Sequence, residues 1–409
     1  MSEYDLIVAG CGPAGAAAAT VAAKGGARVL MLDRAVFPRD KLCAGLLTWK
    51  TMQTLGRVFG ETAESLQALG VINHKSSYYR IRHKDVSLSE GELVYPFHFV
   101  ERRVFDAFCL ERAQNAGAEV LTDQAVTWVD PDQGLVRVAD GREFTARHLI
   151  GADGALSAVR ACCPVDQKRF RRGQGMGLEL YLGREWLAGR AGLHEDVWAG
   201  FPTIYSGFID AGYSWCFPHQ GRVVVGICGL YHGKPAGMIR ERFGDFLDFL
   251  GLPQNHGLPV RGHPLPYGNW LSKPAFGRTL LVGDAAGLVE PFFGEGIHYA
   301  LRTGEMAATA CLAAMQGAQD GQRAGQAYRA ALSAEILPEL IWARRLRNVL
   351  YWFVRLGLVL PVRAFLKGGG TRLQEMVHGM RSFRFLRKTA HASLLDARKA
   401  DTDGGLPRN

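Results

Sequence analysis

Glycines at 10, 12 and 15, followed 18 residues later by Asp33, are the part of this sequence whose types and spacing most clearly do chemistry. Gly10 permits a tight turn, Gly12 lets backbone approach a pyrophosphate, and Gly15 lets a helix pack closely on a strand. The helix N-terminus then faces the phosphates, and a carboxylate at Asp33 can accept ribose hydroxyls. The chemistry is therefore dinucleotide binding. It needs a buried strand before the glycines, a helix after them and a second strand ending at the acid. The sequence supplies all three: the apolar run Tyr4–Ala9, an alanine-rich stretch reaching Ala23, and Arg28–Leu32. Neither apolar run alternates with polar residues, as fits strands covered on both faces.

A second constellation is Tyr213-Ser-Trp215-Cys-Phe217-Pro218. In a strand, alternation puts Tyr213, Trp215 and Phe217 on one face as a flat aromatic wall. Such a wall suits a long apolar or polyene substrate, because apolar area binds without demanding hydrogen-bond partners. Ordinary core packing in a sheet is the competing reading. The run Gly221–Cys228 is its expected neighbour, so a mixed sheet should cover the nucleotide.

The 409 residues are 48% hydrophobic and 21% charged, enough for a real core in two intertwined lobes and against disorder. The eight cysteines form no CxxC pair, so neither a zinc knuckle nor a redox disulfide is expected, and no metal. No basic n-region precedes the first apolar run, so the expectation is no signal peptide and a cytoplasmic location. The net charge of +9 is local: residues 338–399 hold 13 basic and three acidic residues, the rest 35 basic and 36 acidic. Arg344, Arg345, Arg347, Arg355 and Arg363 punctuate an apolar stretch, which argues against nucleic acid. Its purest part, 349–362, is too short to span a bilayer. Two readings stand: a helix lying at the inner membrane face or at the mouth of a lipid tunnel, or a helical cap over the substrate cavity. Another basic helix is expected over Leu373–Lys388, and a loose stretch at 317–325 as the passage into this tail.

Later segments resemble the p-hydroxybenzoate hydroxylase-like flavoproteins. Gly151-Ala-Asp153-Gly154, continued by Ser157 and Arg160, is similar to their GADGxxSxVR signature. Gly283-Asp284 followed by Pro291, Gly294 and Gly296 is similar to their second flavin motif, and Arg102–Asp106 to their RxxFD segment. Within that superfamily, Lys41-Leu-Cys43-Ala44-Gly45 resembles the KPCGGG segment of the geranylgeranyl reductases, with Leu42 for proline and Ala44 for glycine. Tyr213–Pro218 resembles the YxWxFP motif lining their substrate cavity, although Asp210 stands where proline is common.

The resemblance implies a Rossmann-type α/β FAD-binding domain interleaved with a mixed-sheet substrate domain and followed by C-terminal helices. The expected boundaries are 1–70, 100–165 and 270–320 for the first, 71–99 and 166–265 for the second, and 325–399 for the tail. It implies FAD contacts at Gly10, Gly12, Ala14, Gly15, Asp33, Arg34, Cys43, Ala44, Gly45, Arg102, Val126, Asp153, Asp284, Gly294, Gly296 and Ile297. Tyr213, Trp215 and Phe217 would line the cavity. Cys43 would lie near the flavin ring, as a proton donor, as a gate, or as a small residue that fits the turn. The implied activity is reduction of isoprenoid carbon–carbon double bonds by hydride from reduced flavin. An aromatic monooxygenase or halogenase is an alternative, though no WxWxIP halogenase motif is present; a membrane-associated electron-transfer flavoprotein is another. No second GxGxxG unit follows the first, so electrons should come from visiting NAD(P)H, a ferredoxin or a quinol, and a donor protein is a conceivable partner.

Overall fold

The computed structural model describes residues 3–230, 237–253, 255–315 and 320–384. Two eight-stranded sheets organise the chain. In the first, strand Tyr4–Ala9 lies between Val29–Leu32 and Glu143–Gly151, parallel to both. Glu119–Leu121 extends one side in parallel and Thr279–Leu281 the other, with Ala275–Phe276 antiparallel at the edge. Val126–Asp130 and Leu135–Val138 form an antiparallel flap on Glu143–Gly151.

Helix Pro13–Lys24 packs against this sheet, and helix Ile297–Ala314 packs on that helix. Their contact is tight because its residues are small: a Cβ on Gly304 would stand 2.1 Å from the Ala14 carbonyl oxygen. Leu6, Ile7, Leu30, Leu149 and Leu281 are fully buried beneath them. Each such side chain contributes about 1.5–3 kcal/mol by leaving water.

The second sheet runs Leu46–Leu47, Val86–Val100, Ile72–His83, Thr203–Ser206, Gly212–His219, Arg222–Leu230, Gly175–Gly183 and Arg261–Leu265. All its pairings are antiparallel except Thr203–Ser206 with Ile72–His83. Leu46 and Leu47, directly after Cys43-Ala44-Gly45, pair here with Phe99 and His98. One face carries Leu178, Leu180, Tyr205, Cys216 and Ile227 against helix Gly237–Phe249. The other carries Trp215, Phe217 and Cys228 with Phe99 and Tyr267.

The C-terminal part continues through helices Asp320–Ala331, Leu337–Arg355, Val359–Gly368 and Gly370–Val377. Helix begins at 320 where a loose stretch was expected, because the polar residues there lie on the outer side of a helix buried through Ala324 and Tyr328. The last helix ends at Val377, well short of the expected Lys388; residues 317–319 and those beyond 384 lie outside the described residues. Leu350, Val362, Leu366 and Leu373 pack over Leu88 of the second sheet. Arg347 is buried in the tail, donating to the carbonyls of Tyr267 (3.3 Å) and Pro291 (3.2 Å). Arg344 lies over the Trp270 ring at 4.4 Å. Two of the five arginines that punctuate the tail thus serve its packing. Among the described residues, no helix is long and apolar enough to cross a membrane.

Candidate functional site

The glycine-rich turn is built without room for side chains. Gly10 has φ +103°, and a Cβ on it would meet the Ala152 carbonyl oxygen at 2.4 Å. One on Gly15 would stand 1.8 Å from the Gly10 oxygen, so any larger residue pries the helix from the strand. Gly12, the N-cap of helix Pro13–Lys24, instead faces the Arg39 guanidinium at 3.5 Å from its missing Cβ. Asp33 leaves the end of strand Val29–Leu32 and accepts the N–H of Cys11 (2.7 Å) and of Ala35 (2.9 Å), holding the turn to the second strand. Gln124 donates its amide to the Asp33 carbonyl, which brings the 124–126 segment, and with it Val126, alongside.

A cationic rim follows. Arg102 and Arg39 share the buried Asp106, the first through two bonds of 2.7 and 2.8 Å and the second at 3.0 Å. Burial, helped by the neighbouring Arg102, lowers the Lys41 ammonium to about 8; Asp284, Cys43 and Asp106 pull the other way. His263 is pushed down to about 3 by burial and then by Lys41, Arg102, Arg34 and Arg39. Arg34 itself is exposed on the rim.

Three segments converge between the two sheets. Cys43-Ala44-Gly45 turns sharply: Gly45 has φ +72°, its missing Cβ would lie 2.0 Å from the Val100 oxygen, and its amide donates to Cys43 Sγ at 3.4 Å. The Ala44 carbonyl meets the His219 ring at 3.0 Å. Asp284 sits in the turn Gly283–Ala286 after strand Thr279–Leu281. Its Oδ1 lies 3.7 Å from where Gly296, the N-cap of helix Ile297–Ala314, would carry a Cβ. Asp153 turns its carboxylate back onto the Val159 amide (3.1 Å), and burial raises its pKa.

Tyr213, Trp215 and Phe217 do share the inner face of the second sheet, but the wall is stepped rather than flat. Adjacent rings are tilted by 52° and 45°, with centroids 5.6 and 6.2 Å apart. Phe99 meets Phe217 edge-on and sets the second tilt. The Tyr213 hydroxyl donates to the Phe293 carbonyl, fastening the wall to the loop that carries Gly294 and Gly296. Glu290 closes that loop by accepting the amides of Phe292 (2.5 Å) and Phe293 (2.6 Å), and burial raises its pKa to about 7. Tyr205 lies on the opposite face, donating to Asp196, away from these segments.

Sequence reasoning missed Arg39, Lys41 and Glu179. Glu179 is buried on the inner face of strand Gly175–Gly183, accepts the Tyr181 hydroxyl at 2.6 Å, and has its pKa raised by burial to about 7. The signal was present: in Gly177-Leu-Glu179-Leu-Tyr181-Leu the leucines alternate, which sets Glu179 and Tyr181 on the face opposite to them.

The arrangement fits a dinucleotide coenzyme. Around the cradle the buried Arg39 Nη1, Gln124 Oε1 and Asp153 Oδ1 have no protein partner, and buried polar atoms normally have one. Glycine-lined backbone, cations and free acceptors are what a diphosphate, a ribose and a ribityl chain require.

Residues 3–181 match the model of the FAD binding domain family. The chain is 32% identical over 339 residues to the menaquinone reductase of Mycobacterium tuberculosis, covering 74% of this chain and 75% of that one. It is 29% identical over 321 residues to the geranylgeranyl diphosphate reductase of Rhodobacter capsulatus, covering 76% and 75%. In fold it is similar to a crystal structure of a geranylgeranyl bacteriochlorophyll reductase-like protein from Thermoplasma acidophilum, with TM-score 0.72, 19% identity and 98% of each chain covered. The chain belongs to the geranylgeranyl reductase family of FAD-dependent oxidoreductases.

Proposed function

We propose, from that family membership, that the chain saturates carbon–carbon double bonds in the polyprenyl chain of a lipid, with FAD as the resident coenzyme. The observation that carries this reading is the stepped wall of Tyr213, Trp215 and Phe217 on the sheet face that meets the 43–45 and 294–296 segments. Menaquinone and geranylgeranyl diphosphate, for which the relatives are named, share a polyprenyl tail and little else.

Gly10, Gly12, Gly15 and the rim of Arg39, Lys41 and Arg102 would hold the diphosphate. Asp33 would hold the adenosine ribose, and Asp284 with the N-terminus of helix Ile297–Ala314 the remainder. When bound and reduced, FAD supplies hydride. The protein's share is placement. The aromatic wall removes the prenyl chain from water, and the tilted rings fit a kinked polyene better than a plane would. The Tyr213 hydroxyl fixes the wall against the loop of Phe293, so the two sheets hold their partners in register. Cys43 lies where the sheets meet, within the field of Arg102, and would sit beside the reacting groups.

The outer side of the C-terminal tail suits delivery of such a lipid. Leu360 is 74% and Trp352 56% exposed, with Val349, Leu356, Leu358 and Phe365 beside them. Arg345, Arg355, Arg363 and Lys367 accompany this patch, and residues 340–374 contain no acid. An apolar patch among cations suits an anionic bilayer surface, at about 1 kcal/mol for each well-placed cation.

The test is turnover without oxygen. Dithionite-reduced protein, incubated under nitrogen with geranylgeranyl diphosphate or with menaquinone in vesicles, should yield products with fewer double bonds in the tail. Turnover that requires oxygen together with an aromatic compound, and leaves both tails untouched, contradicts the reading.

A further inference from the structure

Saturating an alkene needs more than hydride: the second carbon must receive a proton, and the one donor named so far is the Cys43 thiol. We propose that Glu179 is the general acid that protonates the prenyl carbon adjacent to the one receiving hydride. The inference rests on the reading given under Proposed function.

Cross-strand register puts Glu179 in the substrate wall. Trp215 pairs with Gly226, Gly226 pairs with Glu179, and Glu179 pairs with Arg261, so the four residues form one row across four strands. Residues directly opposite on neighbouring strands present their side chains on the same face. Gly226, at the centre of the row, has no side chain, and the Trp215 indole fills its place: a Cβ there would lie 2.2 Å from Cζ2 and 2.4 Å from Cε2. Trp215 therefore reaches across the strand toward Glu179.

Two polar atoms on this row have no protein partner, although both are buried. They are Trp215 Nε1 and Glu179 Oε1. An orphaned buried carboxyl oxygen is costly and marks a place where a ligand or a reacting group completes the set. The other oxygen, Oε2, is held by Tyr181, which fixes the carboxyl's orientation. Lys41 and Cys43 face it from the turn before the second sheet, and Arg222 from the neighbouring strand. The Cys43 amide comes near, but Oε1 keeps no bond of ordinary geometry. His263 and Arg261 stand on the strand beyond. Burial outweighs the cations and brings the carboxyl to about 7, where it holds a proton yet can release one.

The step balances. The alkene π pair forms the new bond to the proton leaving Glu179 Oε1, and the hydride pair from reduced FAD forms the bond to the neighbouring carbon. The alkene gains two electrons and two hydrogens, FAD is left oxidised, and the Glu179 carboxylate recovers its proton from solvent.

Two readouts test this. The first needs no turnover: infrared difference spectra of the FAD-loaded protein should show protonated carboxyl absorption that titrates near pH 7, of which Glu179→Gln removes one component, with Glu290 leaving the other, and that component should shift when geranylgeranyl diphosphate is added. A band indifferent to the probe overturns the proposal. The second is the anaerobic turnover rate, which should fall about 100-fold or more in Glu179→Gln with bound FAD unchanged. In the natural protein it should decline as pH rises through about 7. Tyr181→Phe removes a bond that favours the carboxylate, so it should move that decline to higher pH. Unchanged turnover in Glu179→Gln, or an unmoved pH profile in Tyr181→Phe, overturns the assignment. If the natural protein leaves the prenyl tail untouched, the proposed function fails, while the infrared band still reports on Glu179 by itself.

Discussion

The two sheets solve opposite problems with the same number of strands. The first binds with its backbone. Its central strands are parallel, its turn at 10–15 excludes side chains, and its alanine-rich helix packs through the smallest residues available. The second would bind with side chains: Trp215 and Phe217 on one strand and Glu179 on another come together only because antiparallel register across a third strand aligns them. A coenzyme common to many reactions can be held by a fixed backbone cradle, whereas a particular substrate needs a surface that varies residue by residue. The comparison predicts that damage to the first sheet removes the coenzyme, and that damage to the second leaves the coenzyme but removes the chemistry.

Gly15→Val should have the largest effect. Its Cβ would stand 1.8 Å from the Gly10 oxygen, so FAD retained after purification should drop to near zero and the thermal midpoint should fall. A yellow Gly15→Val protein of natural stability would break the comparison at its first term. Gly226→Val comes next. A side chain there collides with the Trp215 indole at 2.2 Å, an overpacking worth about 1–3 kcal/mol. Stoichiometric FAD with a lowered thermal midpoint and a raised KM for geranylgeranyl diphosphate is the expected result; lost FAD with an unchanged KM would reverse the roles of the sheets.

Outside both sheets, Leu360→Glu should weaken sedimentation with phosphatidylglycerol vesicles by about tenfold or more, since burying one leucine is worth about 1.5–3 kcal/mol. Soluble geranylgeranyl diphosphate should be turned over as before. Sedimentation equal to that of the natural chain would leave the exposed patch without a membrane role.

Acid–base behaviour sharpens the contrast. Glu179 and Glu290 are both raised from 4.5 to about 7 by burial. Between those values the folded chain keeps protons that the unfolded chain releases. Their favourable contribution is complete below about 4.5 and is lost as pH rises through 7, on the order of 3 kcal/mol for each. These two carboxyls should therefore pull the thermal midpoint down between pH 5 and pH 8, against buried histidines such as His263, which pull it up below pH 6.5, and Glu179→Gln should remove part of the downward pull relative to the natural chain. An identical slope in the variant would mean that Glu179 is ionised in the fold. The smallest effect is expected of Tyr213→Phe, which loses one hydrogen bond to Phe293, about 1 kcal/mol. Turnover should fall about fivefold with FAD retained.

The same contrast explains what could be read from the sequence. The nucleotide turn was legible because Gly10, Gly12, Gly15 and Asp33 act within one strand–helix–strand unit, where spacing along the chain equals spacing in space. Asp284 and Gly296 were legible as a motif, and alternation alone put Tyr213, Trp215 and Phe217 on one face. Their tilt was not, because Phe99, more than a hundred residues earlier, sets it. Glu179 was passed over as one acid in an apolar strand; its meaning comes from Gly226 and Trp215, which only strand pairing reveals. In the basic tail, charge counting could not separate Arg347, held inside by two carbonyls, from Arg355, which faces solvent.

The central claim is that both sheets serve one reduction. It is tested most directly by a single anaerobic turnover in which protein carrying a known amount of reduced FAD is mixed with excess geranylgeranyl diphosphate and the quenched products are weighed by mass spectrometry. The account predicts one product heavier by two hydrogens for each FAD oxidised. Oxidation of the FAD with no gain in mass of the prenyl chain would contradict it.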